Sequence, residues 1–600
     1  MSEVYLNGQY VGDVEDHADF VNQIRMERRS GSVPRQVNVW YNDHMDSVYV
    51  STIRGRVQRP LIIVKDGMSL LTDNHIKAIQ KGEITWGDLV RQGVIENIDA
   101  AEEENLLVGF TADQLTKEHT HLEITPLAIL GLITSLVPFG NYAPGPRLSI
   151  GGKNQKQALG LYTANYSLRM DMDVNLLHTP QQPLVQTAMH KISNYETHPA
   201  GQNIVVAVMT YDGYNMEDAT VINKGTIERG FGRSTYFRPV ITEELRYSGG
   251  LMDQISIPDK EVKGYKSEKD YRMLEDDGII SPESQVKEED VVIGKTSPPR
   301  FLSGMDEYSL VSNVRRESSM ALRHGERGVV DFVLITENEE GNKLVQVRLR
   351  DQRIPEIGDK FTSRHGQKGV IGLIVPECDM PFTATGIVPD LIFSPHGIPK
   401  RMTVGHLLEL IGGKVGALAG RTVDGSTFAS EAESDLRKEL ENLGFRENGT
   451  ETMYSGITGK QYKAKIYIGN MYYLKLKHMV ANKLQSRALG PVQLLTRQPT
   501  EGKAKEGGLR VGEMEKDTFV AHGASLVLKE RFDSDKVVVP ICEESGLLAI
   551  HDRIKDIKYS PIHGENAKIS DIEISYAFKL LLDEFKALGI YPKLELENKY

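Results

Sequence analysis

Cysteine is nearly missing. Cys378 and Cys542 are the only two in 600 residues, which excludes a disulfide-stapled fold and fits a reducing compartment. Long apolar stretches are missing too: no window reaches the ~18 uninterrupted apolar residues of a membrane-crossing helix. The opening MSEVYLNGQYVGDVED has neither the basic nor the following apolar region of a secretory signal. The expectation is a soluble, cytoplasmic chain with no membrane partner, beginning on the strand-like VYLNG with no leader. Low-complexity linkers and fixed-period repeats are absent, which predicts domains packed together rather than strung on tethers. Net positive charge is lacking as well: 71 Lys and Arg face 83 Asp and Glu, a formal −12 with a pI of about 5.8. That excludes general coating of nucleic acid, so any recognition of phosphate must come from local clusters.

The hydrophobic content is 40%. A chain this long exceeds the ~250–300 residues at which single cores stop growing, so several domains are predicted, of mixed α/β class. Residues 1–115 form the first, holding a strand at Leu61 to Val64 and both tryptophans, Trp40 and Trp86. Residues 116–235 follow, with the apolar run Asn203 to Met209 read as a fully buried strand. Residues 236–353 are more polar and read as an insertion between two halves of one domain, closed by a half-exposed strand in which Val345, Val347 and Leu349 alternate with Gln346, Arg348 and Arg350. Residues 354–508 resume the interrupted domain and contain a helix marked by Leu407, Leu408, Ile411, Val415 and Leu418. Residues 509–600 end in another helix, with Ala577, Leu580, Leu581 and Leu588 on one face and Gly589 as its stop.

The strongest chemical signal is GDKFTSRHGQKG, Gly358 to Gly369. Lys360, Arg364, His365 and Lys368 crowd between glycines that let backbone approach a ligand closely, and lysine is a mobile point charge suited to phosphate oxygens. The apolar VIGLIV that follows reads as a buried strand. In GYNMEDATVINKGTIERGFGR, the adjacent Glu217 and Asp218 point in different directions on any regular element; on a loop, such carboxylates suit a metal–nucleotide complex. In FGNYAPGPRLSIGGKNQKQALG, Arg147 sits on a stiff proline-flanked segment suited to bidentate phosphate recognition, followed by Lys153, Lys156 and Gln157. In SPHGIPKRMTVGHLLE, Lys400 and Arg401 precede a helix beginning near Thr403, an anion-compatible arrangement. The densest basic region is Lys475, Lys477, Lys483, Arg487, Arg497, Lys503, Lys505 and Arg510, mostly on glycine-rich backbone suited to following a nucleic-acid strand. Gly294-Lys295-Thr296 is a decoy: the P-loop's first glycine would fall on Glu289, and Pro298 and Pro299 forbid the helix that motif requires.

These stretches, together with YLNGQYVG, GRVQRPLIIV, VIGKTSPPRF, MTVGHLLE, GPVQLLTRQPTEG and GGLRVGEMEKD, resemble in order and spacing the C-terminal part of the second-largest (β-type) subunit of multisubunit DNA-directed RNA polymerases. The resemblance is nearest to the split B′ polypeptide of methanogenic archaea. It implies a double-psi type β-barrel core that binds the RNA–DNA hybrid across residues 116–235 and 354–508. It also implies an external-2-like domain at 1–115, a wall over 236–353 and an anchor and clamp segment at 509–600. Lys360 and Lys368 would meet the transcript's 3′ end, and Arg147 and Arg401 the nucleotide's β- and γ-phosphates. Glu217 and Asp218 would lie near a nucleotide-borne Mg²⁺. Lys156, Gln157, His478, Lys483, Arg497, Lys503 and Arg510 would contact nucleic acid.

The implied partners are a separate B″-like N-terminal half, the largest subunit, small assembly subunits, DNA template, RNA and NTPs. The triple-aspartate loop NADFDGD that holds the first Mg²⁺ belongs to the largest subunit and does not occur here, so the chain is not expected to catalyse alone. The family's four-cysteine zinc site reads Cys542, Ser545, Ser560 and His563, and serine is a poor zinc ligand, so no tightly held zinc is expected. NKLQSR stands at Asn482 to Arg487 where the family tends to have DKIHAR. A non-catalytic nucleic-acid clamp and a stand-alone nucleotide-dependent enzyme are the competing readings.

Overall fold

The computed structural model describes residues 1–247, 250–298, 315–552 and 555–597. Pro299 and the end of VIGKTSPPRF lie outside them. The chain divides into two compact units. The first comprises Met1–Ser167, Asn175–Ser234 and Arg353–Lys477; the second comprises Leu168–Val174, Thr235–Gln352 and His478–Tyr600. No described helix is long and apolar enough to cross a membrane.

The first unit is organised on a barrel. Its strands are β1 (Gln202–Val208), β2 (Ala219–Asn223), β3 (Lys360–Ser363), β4 (Lys368–Val375), β5 (Leu391–Phe393) and β6 (Ile466–Lys475). Around the ring they run β1-β5-β2-β4-β3-β6, and β6 returns to pair antiparallel with β1 from Tyr467 to Tyr473. The ring is therefore closed, which leaves its backbone donors and acceptors paired within the sheet. Alternate residues enter two different apolar clusters. Val206, Ile222 and Leu391 join one, while Ala207, Val221 and Ile392 join the other. Burial on both faces explains why β1 reads as a continuous apolar run. β4 departs from the expected buried strand: Leu373 and Ile374 are half-buried, and Val370 is 41% exposed, because its strand face is the one that carries Lys368.

Two helices fix the barrel's loops. α1 spans Gly145–Lys156 and α2 spans Val404–Ala419, the latter starting after Thr403 as the spacing predicts. Leu408, Ile411 and Val415 of α2 are buried, whereas Leu418 is exposed beside the left-handed Gly420 that ends the helix. On the same helix stands Glu409, 1% exposed, and its carboxylate is the brace of the unit. It accepts from Arg364 at 2.5 Å, from His365 Nε2 at 2.6 Å and from the Tyr472 amide at 3.2 Å. One side chain thus ties α2 to the β3–β4 turn and to β6. Burial by itself would push the Glu409 acid up. The Arg364 charge and the His365 hydrogen bond more than offset that and bring it down to about 2.

In the second unit, strand Lys343–Arg353 pairs with Gly328–Glu337 and buries Val345, Val347 and Leu349 as the alternation predicts. Arg348, expected on the solvent side, is also buried, held to Asp331. Gly294 lies between strands Val291–Ile293 and Lys295–Ser297, and Lys295 pairs with buried Asp253 at 2.7 Å, so the P-loop decoy forms no phosphate loop. The last helix, Tyr576–Ala587, buries Leu582. Leu581 and Leu588, expected on its packed face, are 42% and 75% exposed. The helix directly follows strand Ile569–Ser575, which pairs with Lys536–Cys542.

Replacing Glu409 by Gln leaves Arg364 buried without its counter-charge, an expected loss of about 3–5 kcal/mol, measurable by denaturant unfolding of the full chain. Because the folded acid lies below its ordinary 4.5, the wild-type contribution is complete above that pH and is lost as pH falls toward about 2. Glu409→Gln removes this dependence.

Candidate functional site

The loop from β1 to β2 brings the first carboxylates into place. Buried Asn215 accepts from the Tyr211 amide at 3.1 Å and donates to the Met209 carbonyl at 2.7 Å, closing the loop on itself. Glu217 and Asp218 then both adopt left-handed backbone, with φ of 50° and 72°, a conformation uncommon outside glycine. The Asp218 carbonyl accepts from the Val370 amide at 3.2 Å, which docks the loop beside β4. Glu217 is exposed; Asp218 is half-buried and turned toward Arg401.

Arg401 ends a short turn, Pro399–Arg401, just ahead of α2. Its guanidinium reaches both Asp218 carboxylate oxygens and the Gln367 side-chain oxygen. Gln367 is itself fixed by donating to Thr403 Oγ1 at 2.7 Å and to the Gly397 carbonyl at 3.2 Å. One residue before Gln367, the Gly366 carbonyl accepts from Arg147 at 3.4 Å. One residue after it stands Lys368, exposed. Three successive positions, two in the β3–β4 turn and the first of β4, therefore gather Arg147, Arg401 and Lys368, with Asp218 paired to Arg401. Burial and the Arg401 charge lower the proton affinity of Arg147, and Asp218 works against both.

The close approach of α1 is made by glycines. Gly366 has φ of +74°, and a Cβ there would stand 2.7 Å from the Arg147 carbonyl. A Cβ on Gly151 would run into the Arg364 carbonyl oxygen. Asn154, also on α1, donates to Thr362 on β3 at 2.9 Å. The register pairs Lys360 with Val370 and Thr362 with Lys368, so both lysines project from one face of the hairpin. At the hairpin's start the Leu476 amide donates to the Lys360 carbonyl, and the Lys477 amide donates to the Gln157 carbonyl at 3.1 Å. Gln157 and exposed Lys156 thus border the same hairpin.

Three cations expected to face a ligand do not. Arg364 and His365 turn inward to Glu409, and Lys475 is 2% exposed, donating to the Gly232 carbonyl at 2.8 Å and to Ser234 Oγ at 3.3 Å. Burial lowers the Lys475 ammonium to about 8. These cations lie on well-packed strand and turn backbone, where burial competes with exposure. Sequence reading missed Gln367 and Asn154, which hold the site without charge. The available signal for Gln367 was its position between two glycines of the lysine-rich run.

In the second unit, Lys483, Arg497 and Arg510 are exposed and His478 is half-buried. Lys503 donates to the Ala481 carbonyl at 2.7 Å, and the Arg497 guanidinium lies 4.2 Å from the Tyr576 ring centre. Most of residues 483–511 are irregular, as their glycines predict. Cys542, Ser545 and Ser560 meet in a buried cluster, where hydrogen bonds from Ser545 and Ser560 bring the thiol down to about 7. His563 is exposed, 3.6 Å from Glu544. Among the described residues, no group of three or more His, Cys, Asp or Glu side chains is placed to hold a metal.

Comparison with known proteins places each segment. Residues 133–505 match RNA polymerase Rpb2, domain 6, and 507–597 match domain 7; residues 4–65 match domain 4, and 86–126 match domain 5. DNA-directed RNA polymerase subunit Rpo2 of Sulfolobus acidocaldarius is 50% identical over all of this chain, which spans 54% of that relative. DNA-directed RNA polymerase II subunit 2 of Arabidopsis thaliana is 40% identical over 99% of the chain and 51% of the relative. The subunit RPB2 of Encephalitozoon cuniculi is 38% identical over 100% and 53%. The chain thus spans about half the length of the curated relatives it matches.

Gly151→Ala is expected to force α1 off the turn and lower stability by about 1–3 kcal/mol. Gly152→Ala, whose Cβ would meet nothing nearer than 3.5 Å, is expected to be neutral or to stabilise by up to ~1 kcal/mol through helix propensity. Thermal unfolding of the two variants distinguishes the positions.

Proposed function

The chain belongs to the RNA polymerase Rpb2 family, and on that footing we propose that it supplies the nucleotide- and transcript-gripping cations of DNA-templated RNA synthesis. The gathering of Arg147, Arg401 and Lys368 around one turn carries this reading. The two guanidiniums, one of them paired with Asp218, form a preorganised cradle whose carboxylate keeps Arg401 extended until a stronger anion arrives. A triphosphate then exchanges for Asp218 on Arg401, and the planar guanidinium matches its oxygens in pairs. Lys360 and Lys368, on one hairpin face, hold phosphates of the transcript's 3′ end. Such groups act by neutralising charge that develops on the transferring phosphoryl group, in a position fixed before reaction. Lys156, Gln157, His478, Lys483, Arg497, Lys503 and Arg510 contact the nucleic acid in the same reading.

Glu217 and Asp218 do not make a magnesium site of their own, since two adjacent carboxylates diverge and one already serves Arg401. We assign them to face the Mg²⁺ that accompanies the nucleotide, and the principal metal site to the largest subunit. Zinc is assigned no place either: serine oxygens stand at two of the four expected ligand positions. The working assembly includes the largest subunit, small assembly subunits and the N-terminal half of the second-largest subunit, a B″-like polypeptide in the split arrangement. Its setting is the cytoplasm.

In a reconstituted polymerase, Arg401→Ala or Lys368→Ala is expected to slow single-nucleotide addition by an amount worth about 2–4 kcal/mol, with assembly unchanged on a sizing column. Unaltered addition rates would remove the assignment. Elemental analysis of the purified chain should find zinc well below stoichiometric, and a full equivalent would refute the reading of Cys542, Ser545, Ser560 and His563.

A further inference from the structure

The N-terminal sheet carries a feature to which the proposed function assigns no role. Its four strands run Gln9–Val14, Ser2–Leu6, Ser47–Ser51, Asn38–Asn42 across the sheet. One side of it is ordinary core, where Val4, Val39 and Val48 pack with Val21 of helix His17–Ser30. The other side presents one aromatic ring from every strand. Tyr10 pairs with Tyr5, Tyr5 with Tyr49, and Tyr49 with Trp40. The rings touch in sequence: Tyr10 meets Tyr5 edge-on at 5.9 Å, Tyr5 stacks on Tyr49 at 5.2 Å, and Tyr49 stacks on Trp40 at 4.8 Å. Cross-strand aromatic pairs stabilise a sheet, but an unbroken row across all strands exceeds what one hairpin needs. Tyr10, at the edge, is 55% exposed.

The charge around the row decides what it fits. None of the four strands contains a lysine or arginine, and the two charged side chains they carry are Glu3 and Asp13, both exposed and paired in register. Glu3 accepts from the Tyr5 hydroxyl at 2.7 Å, and Asp13 stands beside Tyr10. Stacked rings alone would also suit bases of single-stranded RNA, but such binding draws on cations for the phosphates, and this face offers carboxylates instead. Tyr5, Tyr49 and Trp40 cover one another's faces, but Tyr10 meets Tyr5 only edge-on and is exposed beside Asp13. An open ring flanked by acids attracts guanidinium groups. An extended segment with proline brings little ordering cost to a ridged aromatic surface.

We propose that the row Tyr10, Tyr5, Tyr49 and Trp40 is a docking surface for an extended, proline-containing, arginine-bearing segment of a partner protein, with Glu3 and Asp13 receiving its cations. The rings bind the apolar body of that segment, and the carboxylates set its direction and give the contact its salt dependence.

The chain has two tryptophans, so Trp86→Phe leaves Trp40 as the sole indole reporter within these 600 residues. Titration with a synthetic Arg-Pro-Pro repeat peptide should give a saturable change in Trp40 emission. A Glu-Pro-Pro peptide of the same length should bind at least about tenfold more weakly, a difference of ~1.4 kcal/mol. Tyr10→Ala, at an exposed edge, should abolish the response. The double change Glu3→Gln with Asp13→Asn, which keeps every ring, should weaken it and remove its salt dependence. No saturable response to the Arg-Pro-Pro peptide overturns the proposal, as does equal binding of the acidic peptide. Tighter binding of oligouridylate than of either peptide overturns it in favour of a nucleic-acid platform.

Discussion

One buried carboxylate holds the first unit's functional geometry in place. Glu409 sits on the helix that follows Arg401, and its oxygens bind the two residues that begin the turn leading to Gln367 and Lys368. The turn cannot shift without breaking charge-assisted bonds in a region from which water is excluded, where an unpaired ion is most unfavourable. Arg147 and Arg401 both attach to that same turn. The cradle is therefore only as well positioned as the Glu409 brace, although Glu409 itself faces away from any ligand.

The same stretch of chain divides its cations between two tasks. Arg364 and His365 point inward and build structure; Lys368, three residues on, points outward. Lys475 repeats the division on β6, closing the strand against backbone carbonyls rather than meeting solvent. Asp218 has a role on the outer side analogous to that of Glu409 within. It pairs with Arg401, and its charge opposes the effect of Arg401 on Arg147. The inner carboxylate is buried at 1% exposure, while the outer one is half-exposed.

Much was legible in the linear pattern. The apolar runs that became β1 and β4, the helix from Thr403 onward and the irregular, glycine-rich basic stretch after Lys483 all follow from local periodicity and turn chemistry. Arg147, Arg401 and Lys368 were legible as candidates because glycine lets backbone approach a ligand closely and their cations suit phosphate oxygens. What could not be read was the direction in which each cation points. Arg364 and Lys368 belong to one charged run with the same glycine spacing, and Leu581 and Leu582 are adjacent leucines of one helix, yet only one of each pair is buried.

The amino-acid sequence by itself determined which elements form, where they start and stop, and which residue types are available for binding phosphate, because propensity, capping and hydrophobic period act over a few residues. Tertiary structure alone decided that Gln367 and Asn154 position the site, and that four aromatic residues on four strands align into one row. Those outcomes depend on strand register and on the contacts of distant segments. Such information resides in no single stretch of chain.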